Sequence, residues 1–441
     1  MRILILDSGG MHASTAKALA DEGNEVFYFV PYHKPYAKFK DFATGTGVPG
    51  IIKILDPAEY YDTVDLIVFP DVGMGQTCQY LRDKGYPVFG AGKGEEMEQN
   101  RSLSVDIMDQ YGIINPETTV VKGVNAALDF LVLNSFNKGE TNQQADGSYF
   151  VKFSIWRGSI DSFPADSLEQ TKEMFAKVRS EFGPYADELE IIINKKSEGI
   201  EAGADLFFNG QEFIKPCLWG FESGNNYIGY VDSDIPEFQK DYLGKVAEYL
   251  KSVNYRGAIS TEVIYDGQNC SLIDWTCRFP LPLGLMYSSF ISNFGEFLHS
   301  IAMGEIPRNG LQEGKYLGIA SFSSENALED WLPVKTNEYT KLLRYIESHD
   351  EKFIIPGIST LGCVVAQGDD FNSFQADLDK NCEGVEAFFG NLNPKFIPEV
   401  IKKYLEPLSK LGVEFGKGAQ HLENYTDSRA GKLLSILAKI A

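Results

Sequence analysis

Apolar and polar positions follow two periods over the first ninety residues. Short apolar runs at 2–7, 25–30, 65–69 and 86–89 carry strand spacing, and segments near 12–22 and 75–84 carry helical spacing. Strands alternating with helices predict a parallel sheet that holds ligands at the carboxyl ends of its strands. Gly9 and Gly10 follow Asp7-Ser8 at such an end, ahead of a helix whose free N–H groups suit a phosphate. A dinucleotide-binding fold is the rival, but the GxGxxG spacing is missing and no acid ends the strand at 25–30 to hold a ribose. His12 lies in the same loop, as a substrate contact or as a helix cap.

Period two returns at 259–265 and 271–279, ISTEVIY and SLIDWTCRF. Alternation puts Asp274, Thr276 and Arg278 on one face and sends Ile273, Trp275 and Cys277 into a core. Asp266-Gly267-Gln268-Asn269 between the runs reads as a hairpin turn, which carries Glu262 toward Asp274. Two acids, a hydroxyl and a guanidinium on one surface suit Mg²⁺ against a polyphosphate; a half-solvated hairpin with charged outer residues has the same pattern. Upstream, Lys152 interrupts the apolar strand YFVKF. A lysine inside a buried strand needs an anionic partner such as an α- or β-phosphate, unless the strand is an edge. Residues 95–113 read as a helix with Met97, Leu103, Ile107 and Met108 on its apolar side and Arg101 on its polar one. The stretch 134–148 reads as an exposed loop, and 396–411 and 432–440 as helices that dock on the chain itself or form a dimer contact.

Composition narrows the classes. Lys+Arg 40 against Asp+Glu 62 gives a net charge of −22, which disfavours direct nucleic-acid binding and attraction to anionic membranes. No apolar run approaches the ~20 residues of a membrane span, and Asp7 with two glycines breaks the apolar start that a secretory signal needs. The six cysteines form no CxxC pair, so free thiols in a reducing cytoplasm are expected.

The hairpin resembles the metal-binding strands of ATP-grasp ligases. The order of MRILILDSGGMHASTAKALADEG, YPVFGAGKGEEMEQNRSLSVDIMDQYGI, YFVKF and GISTLGCVVAQGDDFNSFQADLD, running from residue 1 to about 390, is similar to the phosphoribosylamine–glycine ligase (glycinamide ribonucleotide synthetase) family. The resemblance implies an α/β (in part α+β) ATP-grasp fold: an N-terminal parallel-sheet domain at 1–94, a two-lobed ATP-grasp region at 95–305 with a flap lobe at about 117–195, a small C-terminal domain at 306–391 and a helical tail at 392–441. It implies ATP with Mg²⁺ or Mn²⁺ as cofactors and small-molecule carboxylate and amine substrates, in a monomer or homodimer.

Site residues follow from the same resemblance. Arg101, Lys152, Arg157, Gly158 and Ser159 would contact phosphates, the backbone at Ile193, Asn194 and Lys195 the adenine, and Glu201 the ribose hydroxyls. Glu262, Asp274 and Thr276 would hold the metal. Lys152, Arg157 and Arg278 would neutralise charge during transfer, and Gly9, Gly10, His12, Lys215, Asn225 and Arg278 would face substrate. A substrate carboxylate would take the γ-phosphate as an acyl phosphate, which an amine converts to an amide. Several positions depart from the family. Met11-His12 replaces an Arg-Glu-His run, Thr276 an asparagine, and the residues after Arg278-Phe279 are Pro280-Leu281-Pro282-Leu283. The flap at 156–159 is short, Asn194 and Lys195 replace acids, and Gly220–Tyr227 replaces a glycine-rich substrate loop. Three outcomes therefore stay open: the purine-pathway ligase, a ligase for another amine, or a catalytically weakened ATP-binding protein.

Overall fold

The computed structural model describes residues 1–31, 43–136, 149–154 and 162–417. Its first layer is a five-stranded parallel sheet in the order Ile51–Lys53, Glu25–Phe29, Arg2–Leu6, Leu66–Val68, Val88–Phe89. Ile3, Leu4, Ile5 and Leu6 are all buried, because helices and neighbouring elements cover both faces; hence the continuous apolar run. The edge strand Ile51–Lys53 is one that periodicity does not announce, being three residues long. At the carboxyl end of the central strand, Asp7 ties the loop together. Its Oδ1 accepts from the Gly10 N–H at 2.8 Å, and its Oδ2 from the His12 N–H at 2.7 Å and the Tyr28 hydroxyl at 2.5 Å.

A small antiparallel sheet follows, in the order Thr118–Lys122, Glu190–Lys195, Tyr149–Phe153, Ser162–Pro164. Val151, Phe153, Ile191 and Ile193 join Phe175 and Val178 of the helix Leu168–Phe182 in its core. Alternation turns Lys152 to the opposite face. Its strand is paired on both sides, so the edge-strand alternative does not apply. Residues 95–113 form two helices, Glu96–Gln99 and Arg101–Tyr111. Asn100 leaves helical geometry between them, and its side chain accepts from the Leu103 N–H, which puts Arg101 in a first turn.

The largest sheet is antiparallel and runs Cys270–Thr276, Arg256–Tyr265, Ile200–Asn209, Cys217–Ser223, Asn226–Asp232, Tyr316–Ser323, Thr360–Gly368, Thr340–Leu342. It continues without a break across residue 305. The expected turn is present, with Asp266 Oδ1 accepting from the Gln268 and Asn269 N–H groups. Of the loop expected at 134–148, residues 134–136 continue a helix, and 137–148 lie outside the described residues. The helical segment from Ile397 to Lys410 docks on the large sheet, with Tyr404 stacked on Phe221 at 5.2 Å. The second tail helix, 432–440, lies outside the described residues.

The loop at 45–47 joins the parallel sheet to the strand Tyr345–Ser348 through Gly45 N–H to Tyr345 O and Glu347 N–H to Thr46 O, each 2.9 Å. Gly47 has a φ of +73°, and a Cβ there would stand 2.0 Å from the Glu347 carbonyl oxygen. Gly47→Ala is expected to destabilise the protein by about 2 kcal/mol or more through left-handed strain and loss of this contact. An unchanged urea midpoint would contradict the docking described.

Candidate active site

Glu262 and Asp274 stand opposite each other in adjacent strands, and the register shifts between Glu262 and Val263. Ile273 is the extra residue of this bulge. It leaves the alternation that would have buried it: the buried positions are Leu272, Trp275 and Cys277, and Ile273 lines the cleft instead. Its carbonyl accepts from Lys152 Nζ at 2.6 Å. The bulge thus anchors the lysine of one sheet beside the acids of another. Arg101 reaches the same place, with its guanidinium 3.5 Å from Asp274 Oδ2 and 3.4 Å from the Phe153 carbonyl oxygen.

Lys152, Glu262 and Asp274 border a cleft of about 430 Å³ between the two sheets, which Asn194, Lys195 and Glu201 also line. Asn194 is fixed by its amide, which donates to Thr118 Oγ1 at 2.7 Å, and Lys195 pairs with Glu117 at 3.2 Å. Burial, then the neighbouring Asp274, Glu222 and Glu201, pushes Glu262 up to about 8 against the opposing pull of Lys152. Burial and the neighbouring acids outweigh Lys152, so the carboxyl favours its protonated form at neutral pH.

Other expected residues fall elsewhere. The Ile193 side chain is buried in the small-sheet core, so only its backbone can serve the cleft. Thr276 follows Asp274 on the same face, opposite Ser260. Arg278 turns toward the parallel sheet: its Nε donates to Glu98 at 2.8 Å and lies 3.4 Å from Asp71, while Glu98 also accepts from the Cys277 N–H. Gly9 and Gly10 lie in that sheet's terminal loop, and a Cβ on Gly9 would stand 2.8 Å from Asp71. His12 starts the helix Ala13–Asp21 through its backbone; its ring makes no cap. The ring is fully buried, burial lowers its pKa to about 4, and neither nitrogen has a hydrogen-bond partner among the described residues. Lys215 is exposed and Asn225 forms the two-residue Gly224-Asn225 hairpin turn with a φ of 67°; neither lines a described cleft, because both sit at strand ends. Arg157, Gly158 and Ser159 lie outside the described residues.

Sequence reasoning does not reach every lining residue, and two of those outside it come from the tail. Lys403 and Tyr404 enter the cleft from the C-terminal helix, with Lys403 Nζ 4.7 Å from the Tyr404 ring centroid. Helical periodicity at 396–411 was legible, but it does not say which surface receives the helix.

No protein-family model matches the chain, and no curated protein matches its sequence. Its structure, however, is similar to phosphoribosylamine–glycine ligase of Thermotoga maritima (TM-score 0.63, 15% identity, 89% of this chain and 99% of that one). It is also similar to the biotin carboxylase domain of Hydrogenobacter thermophilus 2-oxoglutarate carboxylase, solved with MgADP and bicarbonate (0.62, 14%, 96% and 97%). A third neighbour is N5-carboxyaminoimidazole ribonucleotide synthetase of Thermotoga maritima (0.56, 12%, 88% and 99%). Two sheets bordering a cleft, with a parallel-sheet layer before them, define an α/β architecture shared with these structures. It is the ATP-grasp fold.

Glu262 fixes the sign of a pH effect. Between the ordinary glutamate range and about pH 8 the folded chain holds a proton that the unfolded chain lacks, so stability falls as pH rises through this window. In divalent-free buffer the melting temperature should decline from pH 5.5 to 8.5 (on the order of several degrees), and Glu262→Gln should flatten the decline. A variant with the wild-type slope would remove Glu262 as its source.

Proposed function

We propose that the chain is an ATP-dependent carboxylate–amine ligase. The observation that carries this reading is the cross-strand pair Glu262–Asp274 facing the strand-borne Lys152 across one cleft. The cleft's oxygen donors fit a hard divalent cation, with Glu262 and Asp274 as carboxylate ligands and the Thr276 hydroxyl next on the same strand face. When bound, Mg²⁺ or Mn²⁺ supplies charge neutralisation to the phosphates of ATP.

Each residue then has a task. Lys152 and Arg101 hold phosphates from the small-sheet side, and Arg157, Gly158 and Ser159 belong to the proposal as further phosphate contacts. The backbone at 193–195 meets the adenine and Glu201 the ribose hydroxyls, while Tyr404 and Lys403 form the outer wall. Arg278, fixed by Glu98 and Asp71, stands on the side of the parallel sheet, where Gly9, Gly10 and His12 close the substrate end. Attack of a substrate carboxylate oxygen on the γ-phosphorus releases ADP. Attack of an amine on the acyl phosphate then forms the C–N bond and expels phosphate, with alignment and charge neutralisation as the catalyst's work.

The purine-pathway reaction is the finer reading, and the near-complete coverage of the Thermotoga ligase supports it. A specific observation favours a different amine: the tight Gly224-Asn225 turn leaves no room for a glycine-rich substrate loop. A cytoplasmic setting suits the six free cysteines, and no helix among the described residues is long and apolar enough to cross a membrane. The domains at 1–94, 95–305 and 306–391, and a monomer or homodimer, belong to the same proposal.

Incubation with Mg·ATP and paired acids and amines is the test. ADP release that requires both an acid and an amine supports the ligase; ATP binding without turnover points to the weakened module. Lys152→Ala and Asp274→Asn should each lower kcat by about 100-fold or more through lost phosphate and metal contacts. Lys403→Ala, an exposed change, should raise the KM for ATP about threefold, worth under ~1 kcal/mol, and leave kcat intact. A wild-type KM would remove the tail from the nucleotide site.

A further inference from the structure

Beside the acid pair, the same sheet face carries a second feature. In register, Gly203 lies opposite both Glu262 and Gly220, and Asp205 lies opposite Ser260. Gly203 and Gly220 floor a recess of about 20 Å³ whose charged lining residues are all acids: Glu201, Asp205, Glu222 and Glu262. A volume of that size holds about one water-sized group. Glu262 and Glu201 are shared with the nucleotide cleft, so the recess adjoins it.

Two further observations point to a ligand. Asp205 is 2% exposed; its Oδ2 accepts from the Tyr227 hydroxyl at 2.6 Å, while its Oδ1 is buried with no hydrogen-bond partner among the described residues. Ser260 lies opposite it on the neighbouring strand. An acceptor left this way inside a protein needs a donor from a ligand or water. The two glycines also differ. A Cβ on Gly220 would stand 2.1 Å from the Ile228 carbonyl oxygen, so strand pairing explains that glycine. A Cβ on Gly203 would meet nothing closer than 3.7 Å, and its φ is not left-handed. Backbone geometry does not require glycine there, and a side chain would fill the recess.

We infer that this recess takes the primary ammonium group of a substrate, held by Glu222 and Asp205 over the Gly203 floor. The inference rests on the ligase reading, because the recess is that site's own extension. A compact, threefold donor matches a water-sized space lined by acidic oxygens, whereas a bicarbonate, phosphate or carboxylate anion would meet four acids with no cation among the lining residues. The ammonium has two sources, an amine acceptor or the α-amino group of an amino-acid donor.

Thermal-shift titrations of the full chain test the inference, with and without Mg·AMP-PNP, for wild type, Glu222→Gln and Gly203→Val. The probes are methylammonium, ethanolamine, glycine, N-acetylglycine, acetate and bicarbonate. Ammonium-bearing probes should bind wild type and weaken at least tenfold in both variants, with AMP-PNP affinity unchanged; the probes lacking an amine should show no such dependence. Ethanolamine binding as well as glycine assigns the group to the amine substrate, and glycine binding without ethanolamine assigns it to the amino acid. Equal ammonium affinity in all three proteins, absence of any ammonium binding, tighter anion binding in Glu222→Gln, or displacement of methylammonium by Mg²⁺ at this recess would each overturn the inference. AMP-PNP binding without ammonium binding leaves the nucleotide reading standing and removes the recess. Ammonium binding without AMP-PNP binding does the reverse.

Discussion

Like charges in register dominate this structure. Glu262 and Asp274 face each other across two hydrogen-bonded strands, an arrangement that costs free energy in an isolated sheet. Burial deepens the cost by holding one carboxyl in its protonated form near neutrality. The fold tolerates it because the surrounding groups are cationic on one side, with Lys152 and Arg101 delivered from other elements. Each of those cations is placed by a local irregularity. The bulge at Ile273 offers the carbonyl that anchors Lys152, and the helix break at Asn100 brings Arg101 to a helix start beside Asp274. Regular strand and helix geometry would have put neither where the acids are.

The same logic separates the two ends of the large cleft region. On the small-sheet side, cations meet acids, a combination that suits polyphosphate bridged by a divalent ion. One strand further into the large sheet, Glu201, Asp205, Glu222 and Glu262 line a recess without a compensating lysine or arginine. Toward the parallel sheet, Arg278 is neutralised by Glu98 and Asp71. Charge therefore changes from mixed to purely acidic over the width of a strand, and this gradient defines which end of a substrate can lie where.

The C-terminal helix ties the periphery to the centre. Tyr404 packs on Phe221, on the strand that also carries Glu222, while Lys403 and Tyr404 border the nucleotide cleft. A segment outside the family resemblance thus forms part of the site wall, and the continuous sheet across residue 305 makes the C-terminal strands part of the same rigid support.

Much of this was legible in the chain. Alternation around Asp274, the Asp266–Asn269 turn and the lysine within YFVKF depend on neighbours a few residues away, and the βα pattern of the first ninety residues depends only on period; local sequence suffices for such features. It failed where one residue breaks a period. Strict alternation sends Ile273 into the core, but the bulge turns it out, and the helical pattern at 95–113 hides its break at Asn100. The resemblance places Lys215 and Asn225 toward substrate, yet strand ends and a two-residue turn carry them away from the cleft. Sequence by itself determined which side chains bear charge and which strands carry them. Only tertiary structure decided that Arg278 answers Glu98 and Asp71, that Asp205 is buried with an idle oxygen, and that a tail helix walls the cleft. Those outcomes depend on contacts between residues far apart in the chain, whose pairing no local period encodes.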